Sequence, residues 1–357
     1  MKFQSLLLTI ITIVIALFSL EGLLRLTLDP DQLYNSAQTQ PVLRSWRNEV
    51  KFWQSHVQRL PDEDGFDPSL GWDIERSGDR IRGVEPISLS KPAGVSRIVS
   101  VGDSFTFGID AGELQNFSAL LNQREDLQVL NMGVPGYGID QSYLKYRQHG
   151  AKYEADTVLF GIYVGDYERT RLTFNYGPKP SFSWSRGHLS VQGVPLPRPA
   201  EEVTRIGAEL NGIVYLQELF TNLWQRFNHS ASDDLNYFDE TDKIVAGILA
   251  QLKSELLSTQ QLVIIHIPRA EAFTQRDGFR DEASRRLLTI YDELQLNVID
   301  LNDVFRRYQA GTQRAEDPGK KYYFVRKDGS FGHLSEVGHR RVAELVLARL
   351  PIQHANN

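Results

Sequence analysis

Two regimes of hydrophobic patterning divide the chain. From Phe3 to Leu20 no charged residue interrupts the sequence, and Leu6-Leu7-Leu8, Ile10-Ile11, Ile13-Val14-Ile15 and Leu17-Phe18 form a run long enough to cross a bilayer core of roughly 30 Å. From Arg97 onward, apolar runs of strand length alternate with segments whose apolar residues recur at helical spacing. The runs predict strands at Arg97–Val101, Leu127–Met132, Thr157–Tyr163, Gln261–Ile267 and Asn297–Leu301. Helical spacing predicts helices over Ala111–Gln123, Asp140–Gln148, Thr241–Leu257, Arg280–Leu294 and Ser335–Leu350. Apolar strands alternating with helices imply a parallel sheet covered on both faces, an α/β architecture.

Between these regimes, Asp29 to Ala93 is mixed. Trp46, Phe52 and Trp53 predict an amphipathic helix near Val42 to Leu60, followed by a turn at Pro61–Gly65 and a loop over Ser77–Gly83. The expected organisation is therefore a membrane segment at 1–28, a stalk and lead-in at 29–94 that packs on the main domain, and an α/β domain at 95–352. One stretch, 167–239, is far longer than the 2–6 residues usual for such connections and reads as an insertion. Within it Phe182–Ser185 and His188–Val191 flank Arg186-Gly187, the pattern of a hairpin. Its aromatics either line a substrate cleft or cover the sheet edge.

Composition narrows the classes. The 357 residues are 41% hydrophobic, enough for one large core. A net charge of -6 gives no concentrated basic surface for nucleic acid, so no nucleic-acid partner is expected. The chain has no cysteine, which removes disulfides and thiolate chemistry. The small-x-small pattern of a cleavage site is poor around Ala16 to Leu20, so the amino-terminal run reads as an uncleaved signal anchor with the main domain outside the cytoplasm.

Candidate chemistry begins at Gly102-Asp103-Ser104. The apolar strand before it ends on a turn that leads toward a helix, so the serine stands where open α/β sheets place their ligands. N–H groups at such a turn can hold an oxyanion. Alone, the tripeptide is a common turn. Two further stretches, Asn131-Met132-Gly133-Val134-Pro135-Gly136-Tyr137-Gly138 and Asp328-Gly329-Ser330-Phe331-Gly332-His333-Leu334-Ser335-Glu336-Val337-Gly338-His339, change its weight. In this order the three blocks resemble the SGNH (GDSL-type) hydrolases, over roughly Arg97 to Leu350. The resemblance implies a flavodoxin-like three-layer α/β/α sandwich with a parallel five-stranded sheet. It also implies that Ser104 is a nucleophile and oxyanion donor, that His333 is its base, and that Gly133 is a second oxyanion donor.

Two positions depart from the family's pattern. The acid expected three residues before the histidine is Ser330 here, and the nearest aspartate, Asp328, is the expected orienting acid; a serine–histidine dyad oriented by a backbone carbonyl is the alternative. The asparagine that completes the oxyanion hole is replaced by Gly165 in Tyr163-Val164-Gly165-Asp166, whose backbone N–H, or else Asn131, would take over. On that view Gly165→Asn raises turnover or leaves it unchanged. Among the other histidines, His266 at the end of a strand is the rival base, and His339 is expected to pack within the last helix. Asp103, Asp110, Asp166 and Asp300 are acids near strand ends without metal-ligand spacing, and no glycine-rich dinucleotide fingerprint follows a strand, so neither metal nor cofactor is expected.

The resemblance implies a serine esterase, here single-pass in the inner membrane with its domain in the periplasm. Hydrolysis or transfer of acyl groups, acetyl above all, on cell-surface or exported polysaccharide is the preferred expectation. A lipid esterase or lysophospholipase of the same chemistry, and a non-catalytic binding or assembly module of the same fold, are the alternatives. No protein partner is indicated.

Overall fold

The computed structural model describes residues 2–27, 45, 48–49, 52, 65–74, 81–82, 87–196, 201, 215–217, 219–220, 232–273, 281–311 and 317–350. Helix α1 (Lys2–Thr27) contains a 23-residue stretch, Ser5–Thr27, whose mean hydropathy of 2.4 and length suit a membrane crossing, with none of that window buried. Glu21, near its end, ion-pairs with Arg25 at 2.7 Å and accepts hydrogen bonds from Tyr215 N and Leu216 N.

The central sheet has five parallel strands: β1 (Ser96–Val101), β2 (Leu127–Asn131), β3 (Thr157–Tyr163), β4 (Gln261–Ile267) and β5 (Asn297–Asp300). Their order is β2-β1-β3-β4-β5, with Ile98 opposite Val129 and Thr157 across the first two pairings. These strands form where the sequence is β-branched and apolar on both sides of the pleat, because both faces are buried. Val99 and Val101 face one core layer with Leu130, Phe160 and Ile264, while Ile98 faces the other with Val129, Leu159 and Ile265. Helices α4 (Ile139–Lys145), α6 (Ser232–Glu255) and α7 (Glu282–Glu293) cover the first face. The second carries α3 (Phe117–Leu121), α8 (Leu301–Gly311) and α9 (Glu336–Leu347). The architecture is an α/β/α sandwich. The chain runs from β1 outward to β2 and then returns to the other side of β1, so strand order reverses there, where such sheets open a crevice at their carboxyl edge. Two short helices begin at that edge, α2 (Ser104–Phe107) after β1 and α5 (Val164–Arg169) after β3.

The helix predicted over Ala111–Gln123 is reduced to α3, capped by the Asn116 side chain on Ala119 N. Residues 108–115 are turns instead: Gly108 O accepts from Ala111 N, and Gln115 Oε1 accepts from Gly112 N. The helix predicted near Val42–Leu60 lies mostly outside the described residues, of which 45, 48–49 and 52 are helical; the turn residues 61–64 and loop residues 77–80 and 83 also lie outside. The described lead-in, 65–74, packs on the sandwich through fully buried Leu70 and a buried ion pair of Asp73 with Lys145 at 2.5 Å. A second buried pair, Asp140 with Lys179 at 2.5 Å, fastens the loop after α5 to α4.

In the insertion, Ser181–Ser185 pairs with His188–Gln192. Arg186 (φ 50°) and Gly187 (φ 80°) make the left-handed two-residue turn that matches strand twist. Phe182 lies 6.1 Å from Tyr143, and a Cβ at Gly247 of α6 would meet the Trp184 ring at 2.7 Å. These aromatics are packing for α4 and α6 rather than the lining of a cleft.

Candidate active site

The turn after β1 is shaped by close approach. A Cβ at Gly102 would sit 2.6 Å from Gly161 O, so the chain passes β3 only with glycine there. Asp103 caps α2 through its Oδ1, which accepts from Phe105 N at 2.9 Å, and Ser104 opens the helix at 6% exposure. As first-turn residues of α2 and α5, Ser104 and Gly165 carry N–H groups without partners along their helices, beside each other's strands at the sheet edge.

Gly108 ends α2 in the left-handed conformation (φ 78°), donating its N–H to Ser104 O. This reverses the chain and brings Asp110 back toward the serine. From the other end of the domain, a hairpin of Tyr323–Val325 with Phe331–Leu334 delivers His333. The His333 ring stands edge-on to Phe105, with centroids 4.8 Å apart, and Phe105 in turn stacks on Tyr163 at 4.6 Å. The Nε2 atom of His333 lies 2.8 Å from Ser104 Oγ, and its Nδ1 lies 2.9 Å from Asp110 Oδ2. The backbone N–H of His333 donates to the same carboxylate oxygen at 2.9 Å. Asp110 accepts only, so it holds the proton on Nδ1 and leaves Nε2 as the acceptor for the serine hydroxyl. Burial pushes the Asp110 carboxyl up, but the two hydrogen bonds from His333 and the charges of His333 and Arg326 outweigh it and hold it below its ordinary range.

The orienting position is thus taken by Asp110, and the expectation for Asp328 is corrected. Asp328 is exposed, and its Oδ1 accepts from Ser330 N at 2.9 Å and Ser330 Oγ at 2.7 Å, closing its own turn. Two residues of extended hairpin carry His333 away from that turn and toward α2. Gly133 is also corrected: its N–H donates to Asn131 Oδ1 at 3.0 Å, and a Cβ there would overlap Phe107 N. It is a glycine so that the β2 loop can press against α2. Asn131 is committed as well, since its Nδ2 donates to Thr106 O at 2.9 Å.

The rival histidines are accounted for. His266 is fully buried with Nε2 2.9 Å from Ser284 Oγ, and it packs edge-on to Tyr291. His339 is fully buried, stacks on Phe117 and accepts from Phe117 N at 3.3 Å. Burial first, then Arg82 and His333, push it down to about 3, so it is neutral.

Behind the serine lies a charge cluster. Arg169 reaches Asp103 Oδ2 at 3.0 Å and Asp166 Oδ1 at 2.8 Å, and contacts Tyr137 O at 3.4 Å. Burial and the neighbouring Asp103 push the Asp166 carboxyl well up; burial pulls Arg169 down, but Asp166 and Asp103 outweigh it and raise Arg169 above its ordinary value. This cluster ties the loops after β1, β2 and β3 together beneath the serine. Among the described residues, no three His, Cys, Asp or Glu side chains gather as a metal site.

Fold and side chains thus define an α/β sandwich with a serine, histidine and aspartate in hydrogen-bonded series at its carboxyl edge. No protein-family model and no curated protein matches the chain. It is similar to a lipolytic protein of the G-D-S-L family from Veillonella parvula, with 14% identity over 72% of this chain and 100% of that one, at a TM-score of 0.37. A lipase/acylhydrolase from Enterococcus faecalis is 16% identical over 71% of this chain and 94% of that one, at a TM-score of 0.37. An acetylxylan esterase from Geobacillus stearothermophilus is 14% identical over 72% and 95%, at 0.39. At these identities and scores the likeness concerns the course of the chain, and the chemistry stands on the side chains themselves.

Proposed function

We propose that the chain is a serine esterase with Ser104 as nucleophile, His333 as base and Asp110 as orienting acid. The observation that carries this is the continuous series Asp110–His333–Ser104 at 2.9 and 2.8 Å. A serine hydroxyl is a weak nucleophile unless a positioned base takes its proton, and this geometry supplies the base in the right tautomer. Ser104 Oγ attacks the ester carbonyl as His333 Nε2 accepts the hydroxyl proton. The N–H groups of Ser104 and Gly165 receive the oxyanion. The imidazolium, stabilised by ionised Asp110, then protonates the departing alkoxide. Water, or an acceptor hydroxyl in the transferase variant, releases the acyl group by the same steps in reverse.

Helix α1 is the anchor in this reading, a single pass through the inner membrane with the sandwich in the periplasm. Acyl esters, acetyl in particular, on cell-surface or exported polysaccharide are the substrates. A second reading has one observation behind it: Ile109, beside Asp110, and Phe324, against Gly332, are 47% and 46% exposed, an apolar rim that suits a lipid ester. The test is turnover of 4-nitrophenyl acetate and labelling by a fluorophosphonate, using full-length protein in detergent. Labelling that vanishes in Ser104→Ala supports an esterase. A folded protein that neither labels nor turns over ester is a non-catalytic module, and the reading fails. Preference for octanoyl over acetyl ester favours the lipid reading.

A further inference from the structure

Tyr176 is 76% exposed, yet the turn that bears it is firmly held. Phe174 bridges Pro178, Asn175 N donates to Gly177 O at 3.0 Å, and Asn175 Nδ2 donates to Gly136 O at 2.8 Å. Buried Lys179 closes the turn, donating to Asp140 and to Leu172 O at 2.9 Å. The ring edge lies on Gly136, whose φ of 85° and lack of Cβ make room for it; a Cβ there would overlap Tyr176 and come within 3.4 Å of the Trp72 ring. Trp72 stands edge-to-face with Tyr176, with centroids 6.4 Å apart, and is itself fixed by Nε1 donating to Pro135 O at 3.0 Å.

This pair borders the catalytic edge. Gly136 belongs to the loop whose Val134 N–H donates to Gly102 O at 3.0 Å and whose Tyr137 O meets Arg169, the partner of Asp103. Single exposed aromatics are ordinary on protein surfaces. Here, however, a hydrogen bond to the β2 loop, a glycine that admits the ring and a second aromatic all converge on holding one exposed ring on the loop that follows β2, at the carboxyl edge of the sheet that also carries Ser104.

We infer that Tyr176, backed by Trp72, is a stacking platform for a pyranose ring of an acylated oligosaccharide, which seats the sugar while its ester reaches Ser104. The inference deepens the esterase reading and rests on it. A rigid ring with a wet rim suits a pyranose, which offers an apolar C–H face edged by hydroxyls. An acyl chain is served by a concave apolar groove, because a protruding ring buries little of a flexible alkyl tail. A nucleobase would also stack, but a net charge of -6 does not attract a polyphosphate backbone.

The test compares full-length wild type with Tyr176→Ala, Tyr176→Phe and Trp72→Phe on 4-nitrophenyl acetate and on a panel of O-acetylated tetrasaccharides of xylan, mannan and N-acetylglucosamine type. For the panel member turned over best, Tyr176→Ala raises KM about five- to tenfold with kcat within twofold, as the loss of one aromatic stacking contact requires. Tyr176→Phe retains most of the affinity, and kinetics on 4-nitrophenyl acetate are unchanged in all three variants. Equal KM for wild type and Tyr176→Ala on that tetrasaccharide overturns the platform and leaves the esterase standing. So does wild type that prefers 4-nitrophenyl octanoate and turns over no panel member. Absence of both ester turnover and phosphonate labelling removes the esterase reading and the platform together.

Discussion

Asp110 Oδ2 lies 2.9 Å from His333 Nδ1 although 223 positions separate the two residues. Two glycines make the meeting possible: Gly108 turns the chain back after α2, and Gly332 presents no side chain where a Cβ would stand 2.5 Å from that carboxylate oxygen. The contact fixes the tautomer of the histidine, and in the proposed mechanism it supplies the negative charge that an imidazolium needs during proton transfer.

Replacing the acid therefore distinguishes the two aspartates. Asp110→Asn should lose roughly 10⁴-fold in kcat on a small acyl ester, whereas Asp328→Asn should stay within about twofold. Ser104→Ala and His333→Ala should each abolish most of the rate, and the double variant should be little worse than either. Circular dichroism checks that each variant is folded. A large loss in Asp328→Asn with little in Asp110→Asn would reverse the assignment.

Gly332→Ala should lower kcat by about tenfold or more while leaving the fold intact. The new methyl displaces either the Asp110 carboxylate or Phe324, which stands 3.3 Å from the same point, and small misplacements in such a series are costly. Wild-type kcat in this variant would show that the carboxylate has room to spare.

For Gly165→Asn the structure predicts a fall in turnover rather than the rise or unchanged rate expected from restoring an amide. A Cβ at 165 meets Tyr163 Cε1 at 2.6 Å, and the Tyr163 ring supports Phe105, which supports His333. The expected loss exceeds about tenfold, or about 1.4 kcal/mol of barrier. Turnover at or above wild type would show that the Tyr163 ring moves aside freely.

His339 should make stability depend on pH. Its value falls from an ordinary 6.5 to about 3 in the folded protein, so the unfolded chain binds a proton that the folded one refuses. The stabilisation is complete above about pH 6.5 and is lost progressively as pH falls toward 3. Asp110 acts in the same sense, but only below its ordinary 3.8. Denaturant midpoints at pH 7, 5.5 and 4 should fall more steeply for wild type than for His339→Gln, which keeps an acceptor for Phe117 N but cannot titrate. Parallel curves would mean that His339 is protonated without penalty.

Retention of α1 is checked by intact mass. The full chain, including residues 1–27, should be found in the membrane fraction. A soluble chain lacking its first twenty-odd residues would make the segment a signal sequence.

The strand framework is legible in the hydrophobic patterning of the chain. Both-face burial requires continuous β-branched runs, so all five strands were legible, Thr157–Tyr163 and Gln261–Ile267 to the residue. Ser104 and His333 are singled out by the resemblance of three sequence blocks, taken in order, to a known family, and the fold brings their side chains within 2.8 Å of each other. The positions that failed depend on where backbone comes back through space. Asp110 stands just before the segment Ala111–Gln123 whose apolar spacing reads as helix, and the left-handed cap at Gly108 and the turns that follow it set its direction. Asp328 is near His333 in sequence, but an extended hairpin separates the two side chains. Gly133 carries an N–H that its neighbour Asn131 claims, and Tyr176 lies on Gly136 where the buried Asp140–Lys179 pair and the Asn175–Gly136 hydrogen bond hold its turn. The pairings of Asp110 with His333 and of Tyr176 with Gly136 join residues whose separation along the chain says nothing of their distance, since loop closure is decided by the packed core and not by local preference.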